Sequence, residues 1–156
     1  MKIRILAVGH KMPAWIEAGY QEYARRMPPD AGLELTEIKP EKRAAGASTA
    51  RIQKLEAERI LAALPAQAFL IALDERGRQP TTVELSAQLA HWMQEGAQPC
   101  FVIGGADGLD ASIKTKSDLL LGISRLTLPH GLVRVLLAEQ LYRATSLLKG
   151  HPYHRE

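Results

Sequence analysis

Ala68-Phe69-Leu70-Ile71-Ala72-Leu73 is apolar without interruption and is followed at once by Asp74-Glu75-Arg76-Gly77. A run of this kind reads as a strand covered on both faces, the mark of a parallel sheet. Outward from it, short apolar runs alternate with longer amphipathic ones five times, which is the pattern of successive βα units. Residues 3–8 form a first strand ended by Gly9. Residues 33–38 alternate apolar and polar, as a strand near a sheet edge does. Residues 100–103 precede Gly104-Gly105-Ala106-Asp107-Gly108, and residues 119–123 complete the set.

The helices carry their own punctuation. Pro13 opens one in which Trp15, Ile16, Gly19, Tyr20 and Tyr23 fall at helical spacing until Pro28-Pro29. Ser48 caps a second that runs to Leu64, with Ile52, Leu55, Ile60 and Leu64 as its apolar contacts and Pro65 just beyond. Thr81 with Glu84 makes a capping box for a third, through Leu85, Leu89 and Trp92 to Gly96. A polar helical turn surrounds Lys114 and Lys116, and a last helix runs from His130 to Leu148, with Lys149 at its negative end and Gly150 as its stop. No linker or repeat divides the chain, so residues 1–156 read as one α/β domain.

At 46% apolar and 24% charged residues the composition is that of an ordinary globular protein. No stretch has the length of apolar sequence that crosses a bilayer, and the start lacks a signal-peptide pattern, so a cytoplasmic protein is expected. The lone Cys100 sits in an apolar run and offers neither a disulfide nor a cysteine metal site. The net charge of +3 and a pI near 9.1 are compatible with a phosphate-bearing partner without requiring one. Arg25-Arg26, Lys39, Lys42-Arg43, Arg51 and Lys54 gather in the first third, either as a positive face or as solvated helix surface.

Three segments follow strands and therefore stand where ligands bind in parallel sheets: Leu73-Asp74, residues 104–108 and residues 123–128. The glycines at 104, 105 and 108 permit close main-chain approach, but their spacing is not the dinucleotide fingerprint and no phosphate-loop Lys-Ser/Thr follows. A tight turn is the alternative there, and a continuing strand is the alternative for residues 123–128. His130 stands at a helix start, where a capping role is the simpler reading. Glu139 and Arg143 have the favourable spacing and order of a helical ion pair. The last helix is apolar on several sides, so it buries a second face against the sheet and a neighbouring helix, or against another subunit. Its end and the tail, Leu141-Tyr142-Arg143-Ala144 and His151-Pro152-Tyr153-His154-Arg155-Glu156, collect imidazole, phenol and guanidinium groups, as either a solvated tail or a functional surface.

Ile103-Gly104-Gly105-x-x-Gly108, Leu126-Thr127-Leu128-Pro129-His130, Leu132-Val133-Arg134, Leu141-Tyr142-Arg143-Ala144 and the closing His-Pro-Tyr-His-Arg-Glu together resemble the RlmH family of SPOUT-class ribosomal RNA methyltransferases. Val8-Gly9 and Lys11-Met12-Pro13 extend the likeness to the start. The resemblance implies a homodimer whose α/β fold, a parallel sheet flanked by helices, carries a C-terminal trefoil knot. It implies a methyltransferase that uses S-adenosylmethionine, with no metal, to methylate N3 of a pseudouridine in 23S rRNA of the large subunit or assembled ribosome. Cofactor contacts carry over to Leu73, Gly104, Ile123, Ser124, Arg125, Leu126, Thr127 and Leu128. For such a reaction side-chain chemistry makes His154 and Tyr153 the candidate catalytic groups, the first removing a proton and the second stacking on a base, and Arg143 and Arg155 the candidate contacts to phosphates or pyrimidine carbonyls. Ala106-Asp107 stand where relatives commonly have Pro-Glu, which leaves the shape of that turn open. A non-catalytic ribosome-binding module and a tRNA-directed enzyme of the same class are the competing readings. The first binds no S-adenosylmethionine, and the second accepts isolated tRNA.

Overall fold

A computed structural model describes residues 1–154 of the chain. Five parallel strands make one sheet, β1 (Lys2–Val8), β2 (Gly32–Ile38), β3 (Phe69–Arg78), β4 (Pro99–Ile103) and β5 (Leu119–Leu121), in the order β2-β1-β4-β3-β5. The alternating run of residues 33–38 is indeed at an edge. Five helices connect and flank them: α1 (Ala14–Ala24), α2 (Thr49–Ala63), α3 (Thr82–Glu95), α4 (Ala111–Lys116) and α5 (His130–Leu148).

The period-two geometry of the strands sorts the core onto two sides of the sheet. Ile3, Ile5, Ile71, Phe101 and Ile103 meet α1, α3 and α5 through Tyr20, Leu89, Trp92, Leu137 and Leu141. Leu6, Val8, Leu70, Ala72, Cys100 and Val102 meet α2 and α4 through Ala57, Ile60 and Ile113. Cys100 is fully buried, which pushes its thiol pKa up to about 11 and leaves it an inert core group. α5 packs against both α1 and α3, so much of its many-sided apolar surface is covered within the chain.

The caps form as the sequence indicates. Ser48 Oγ accepts the Arg51 amide at 3.1 Å, and Thr81 and Glu84 exchange bonds of 3.1 and 2.8 Å. Gly96 closes α3 at φ +65°, in the left-handed region glycine adopts without penalty.

Two departures bear on the site. β3 does not stop at Leu73 but runs on through Asp74–Arg78 after a register shift, so that Arg78 pairs with Leu121. Gly77 makes this possible: a Cβ there would lie 2.7 Å from the Leu121 backbone. β5 in turn ends at Leu121, and residues 123–128 form an irregular loop instead of a longer strand. Trp15, placed by spacing on the inner face of α1, is 62% exposed, and Ile16 and Tyr20 take the buried positions.

Candidate active site

Because all five strands run the same way, the turns that follow them open at one edge of the sheet. There a cleft of about 960 Å³ lies between the end of β3, the glycine turn after β4, the loop after β5 and the start of α5. Leu73, Gly104, Ile123, Ser124, Leu126, Thr127 and Leu128 all line it, while Arg125 is exposed and does not. Sequence reasoning missed Glu75, Arg76, Lys114 and Val133, which also line it.

The glycine turn is tight. Gly108 adopts φ +78° and donates to the Gly105 carbonyl at 3.0 Å. A Cβ on Gly104 would stand 2.9 Å from the Gly108 carbonyl carbon, so only glycine lets the turn fold back this closely. Asp107 is anchored from outside: Arg43 bonds its carboxylate, and Gln53 Nε2 donates to its carbonyl at 2.5 Å. Glu56 lies beneath Gly105, 5% exposed, and accepts the Glu41 amide at 3.0 Å. Burial pushes the Glu56 carboxyl above the usual range, with the Glu41 amide pulling the other way.

The opposite wall is a loop with open main-chain valences. Ser124 Oγ takes the Leu126 amide at 3.0 Å, but among the described residues no hydrogen bond engages the main-chain N–H of Ile123, Thr127 or Leu128. Thr127 Oγ1 donates to Glu75 at 3.2 Å, fastening the loop to the end of β3, and Lys114 lies 3.6 Å from Asp74. The cleft thus has apolar walls, exposed peptide groups and three carboxylates, each with its own partner, which suits a polar, positively charged ligand with a planar apolar part.

At the rear, His130 is the first residue of α5 and makes no capping bond. Its Nε2 is enclosed against Gly9, whose Cβ position would be only 2.8 Å away, and has no hydrogen-bond partner among the described residues. Burial first, and the Arg134 guanidinium second, hold the imidazole below the usual histidine range, so it is neutral at pH 7. Arg134 is 1% exposed; it donates to Glu37 at 2.7 Å and to the Gly9 carbonyl at 3.2 Å, tying α5 to the ends of β1 and β2.

The remaining candidates form a second group. Arg143 donates twice to Glu139 Oε2, at 3.0 and 2.7 Å, and Tyr153 donates to the same oxygen at 2.8 Å. The Arg143 guanidinium sits 4.9 Å from the Tyr153 ring centroid, and that ring meets Tyr142 at 4.6 Å. Burial, then Glu139, raises the phenol above its ordinary range, so it remains protonated and is no base at neutral pH. The His154 backbone closes a short 3-10 turn, Pro152–His154. Its side chain, and Arg155 altogether, lie outside the described residues. Val133 in the cleft and Arg143 are ten residues apart on α5, a rise of about 15 Å, and Glu139, Tyr142, Arg143 and Tyr153 do not line the cleft.

A strand-end cleft with a glycine turn and a peptide-lined loop, on a five-stranded parallel sheet, defines an α/β protein with a small-ligand site at the edge where its strands end. The family described as "Predicted SPOUT methyltransferase" matches residues 1–154, and the chain belongs to it. Proteins named "Ribosomal RNA large subunit methyltransferase H" are its relatives at high identity. That of Thiobacillus denitrificans is 62% identical over 156 residues, all of both chains, and that of Burkholderia multivorans is 59% identical over 155, covering 99% of each. Among solved structures, a probable methylase family protein from Haemophilus influenzae Rd KW20 superposes with a TM-score of 0.58 at 13% identity, over 99% of this chain and 70% of that one. A probable methyltransferase from Bordetella pertussis Tohama I gives 0.56 at 14%, over 92% and 93%. These two show the fold alone.

Proposed function

We propose that this chain transfers the methyl group of S-adenosylmethionine to N3 of a pseudouridine in 23S rRNA, working as a homodimer in the cytoplasm. The observation that carries the reading is the convergence of three strand-end segments, around Leu73, Gly104 and residues 123–128, on one cleft of a size suited to a nucleoside. Membership of the family and the names of relatives at about 60% identity support the ribosomal substrate.

S-adenosylmethionine, when bound, supplies a methyl group on a sulfonium sulfur that departs as a neutral thioether. The chain's own residues do the rest. Open main-chain groups of Ile123, Thr127 and Leu128, the apolar Leu73 and Leu126, and the close backbone approach that Gly104 permits would hold the donor's nucleoside part. Glu75, whose partner Thr127 is uncharged, would face the sulfonium cation. Fixing the two reactants in line contributes about 7–11 kcal/mol to the rate.

As the nitrogen–carbon bond forms, the N3 proton must leave, and His154 takes it, an imidazole nitrogen being the lone-pair acceptor that general-base work most often uses. Tyr153 supplies a stacking surface, with Arg143 and Arg155 toward the phosphates and pyrimidine carbonyls. The separation of about 15 Å along α5 supports a shared site, in which one subunit's tail completes the partner's cleft.

The test is transfer of labelled methyl groups to assembled ribosomes, naked 23S rRNA and tRNA from cells lacking the modification. Label in 23S rRNA, at N3 of a pseudouridine, is expected. Label in tRNA instead, or no binding of S-adenosylmethionine by calorimetry, refutes the reading.

A further inference from the structure

The positive charge of this chain is unevenly placed. Residues 39–54 contain Lys39, Lys42, Arg43, Arg51 and Lys54 against one carboxylate, Glu41, a local balance of five minus one, or +4. The whole chain carries +3, so everything outside this window sums to −1. All five cations are exposed. Glu41 is already engaged by Arg59 at 2.7 Å, and Lys39, Lys42, Arg51 and Lys54 make no ion pair among the described residues. Arg51 and Lys54, three apart on α2, share a helix face.

The window is fastened to the cleft. Arg43 and Gln53 both bond Asp107, which lines the cleft, and Glu56 on the same helix lies beneath Gly105. Four unneutralised cations thus stand on the segment that braces the glycine turn, and a polyanion lying along them passes the mouth of the cleft.

We propose that the β2–α2 loop and the first turns of α2 form a phosphate-docking surface, in which Lys42, Arg51 and Lys54 grip the RNA backbone beside the nucleotide to be methylated. The inference rests on the RNA-directed function proposed above and adds to it the element that binds the backbone.

The experiment uses the full-length protein and a triple variant, Lys42→Gln with Arg51→Gln and Lys54→Gln. Binding to a ribosomal stem-loop RNA is followed by anisotropy from 50 to 200 mM KCl, with methyl transfer to ribosomes measured alongside. Each lost contact to single-stranded phosphate removes about 0.7 from the slope of log affinity against log salt, so the slope falls by about 2 and wild type loses about 15–20-fold more affinity than the variant over that range. The variant's KM for ribosomes is expected to rise at least tenfold at the lower salt and by less at the higher, with S-adenosylmethionine affinity and melting temperature unchanged. An unchanged slope and KM with methylation intact overturns the surface and leaves the proposed function standing. Loss of slope on RNA with no methyl transfer by wild type upholds the surface and overturns the proposed reaction. Wild type that neither binds the RNA nor methylates ribosomes overturns both, and a variant impaired only in binding phosphatidylglycerol vesicles overturns the surface alone.

Discussion

Replacing Gly104 by alanine places a methyl carbon 2.9 Å from the Gly108 carbonyl carbon and 3.0 Å from Leu109 Cγ. The first contact is with backbone, which no rotamer change relieves, so the turn itself must open. Gly108 is held there by its bond to the Gly105 carbonyl and by a left-handed φ, and Asp107 between them is pinned by Arg43 and Gln53. Forcing an extra methyl into a closed arrangement costs about 1–3 kcal/mol. Because Gly104 to Gly108 form one wall of the cleft, the cost falls on the ligand: at 1.4 kcal/mol per tenfold, affinity for S-adenosylmethionine drops about 5- to 140-fold. Titration calorimetry measures this directly, with Gly32→Ala as the control, since nothing lies within 4 Å of a Cβ there. A Gly104→Ala protein that binds within twofold of wild type and melts at the same temperature would show that the turn yields freely, and the reasoning fails.

Three further outcomes follow from the site. Arg134→Leu removes a buried guanidinium and its bonds to Gly9 and the half-exposed Glu37, and should lower stability by about 3 kcal/mol, or about 6–12 °C in melting temperature; a shift below 2 °C would contradict the anchoring role. His130 has a depressed pKa when folded, so the unfolded chain takes up its proton first near pH 6.5; its contribution is complete above that pH and is lost as the pH falls below it. Melting temperature should therefore decline from pH 7 toward pH 5.5, and less so in His130→Asn; superimposable profiles would remove His130 as the cause. His154→Ala should lose about 10²–10⁴-fold in kcat with S-adenosylmethionine affinity kept, whereas Tyr153→Phe retains the ring and most of the rate; a His154→Ala protein with full turnover dismisses the base.

The elements whose ends are set by local chemistry were legible in the chain: the Thr81–Glu84 box, the Ser48 cap and the Pro129 and Gly150 limits of α5 stand where their residues put them. What escaped was set by the partner. The extension of β3 through Asp74–Arg78 is polar in sequence and exists because β5 pairs with it across Gly77. Trp15 fits a helical stripe but misses the face that meets α5. The buried ions had a signal that went unread, for Ile52-Glu56-Ile60 and Arg134-Leu137-Leu141 put a charge in line with core residues at helical spacing. Of the site, the strand-end segments were placed correctly because topology puts them together. Their carboxylates and the separation of the tail group from the cleft are matters of three-dimensional distance that no motif carries.

α5 joins the two halves of the chemistry as a rigid ruler. His130 and Val133 stand at one end in the cleft, and Glu139, Tyr142 and Arg143 carry the tail near the other, so both the interval and the angular phase between them are fixed by residue count. A single inserted residue between them would turn one half against the other by about 100° while leaving each locally intact. Under the proposed reaction the length of this helix is therefore a functional quantity in its own right, since it sets where the tail group stands relative to the cleft.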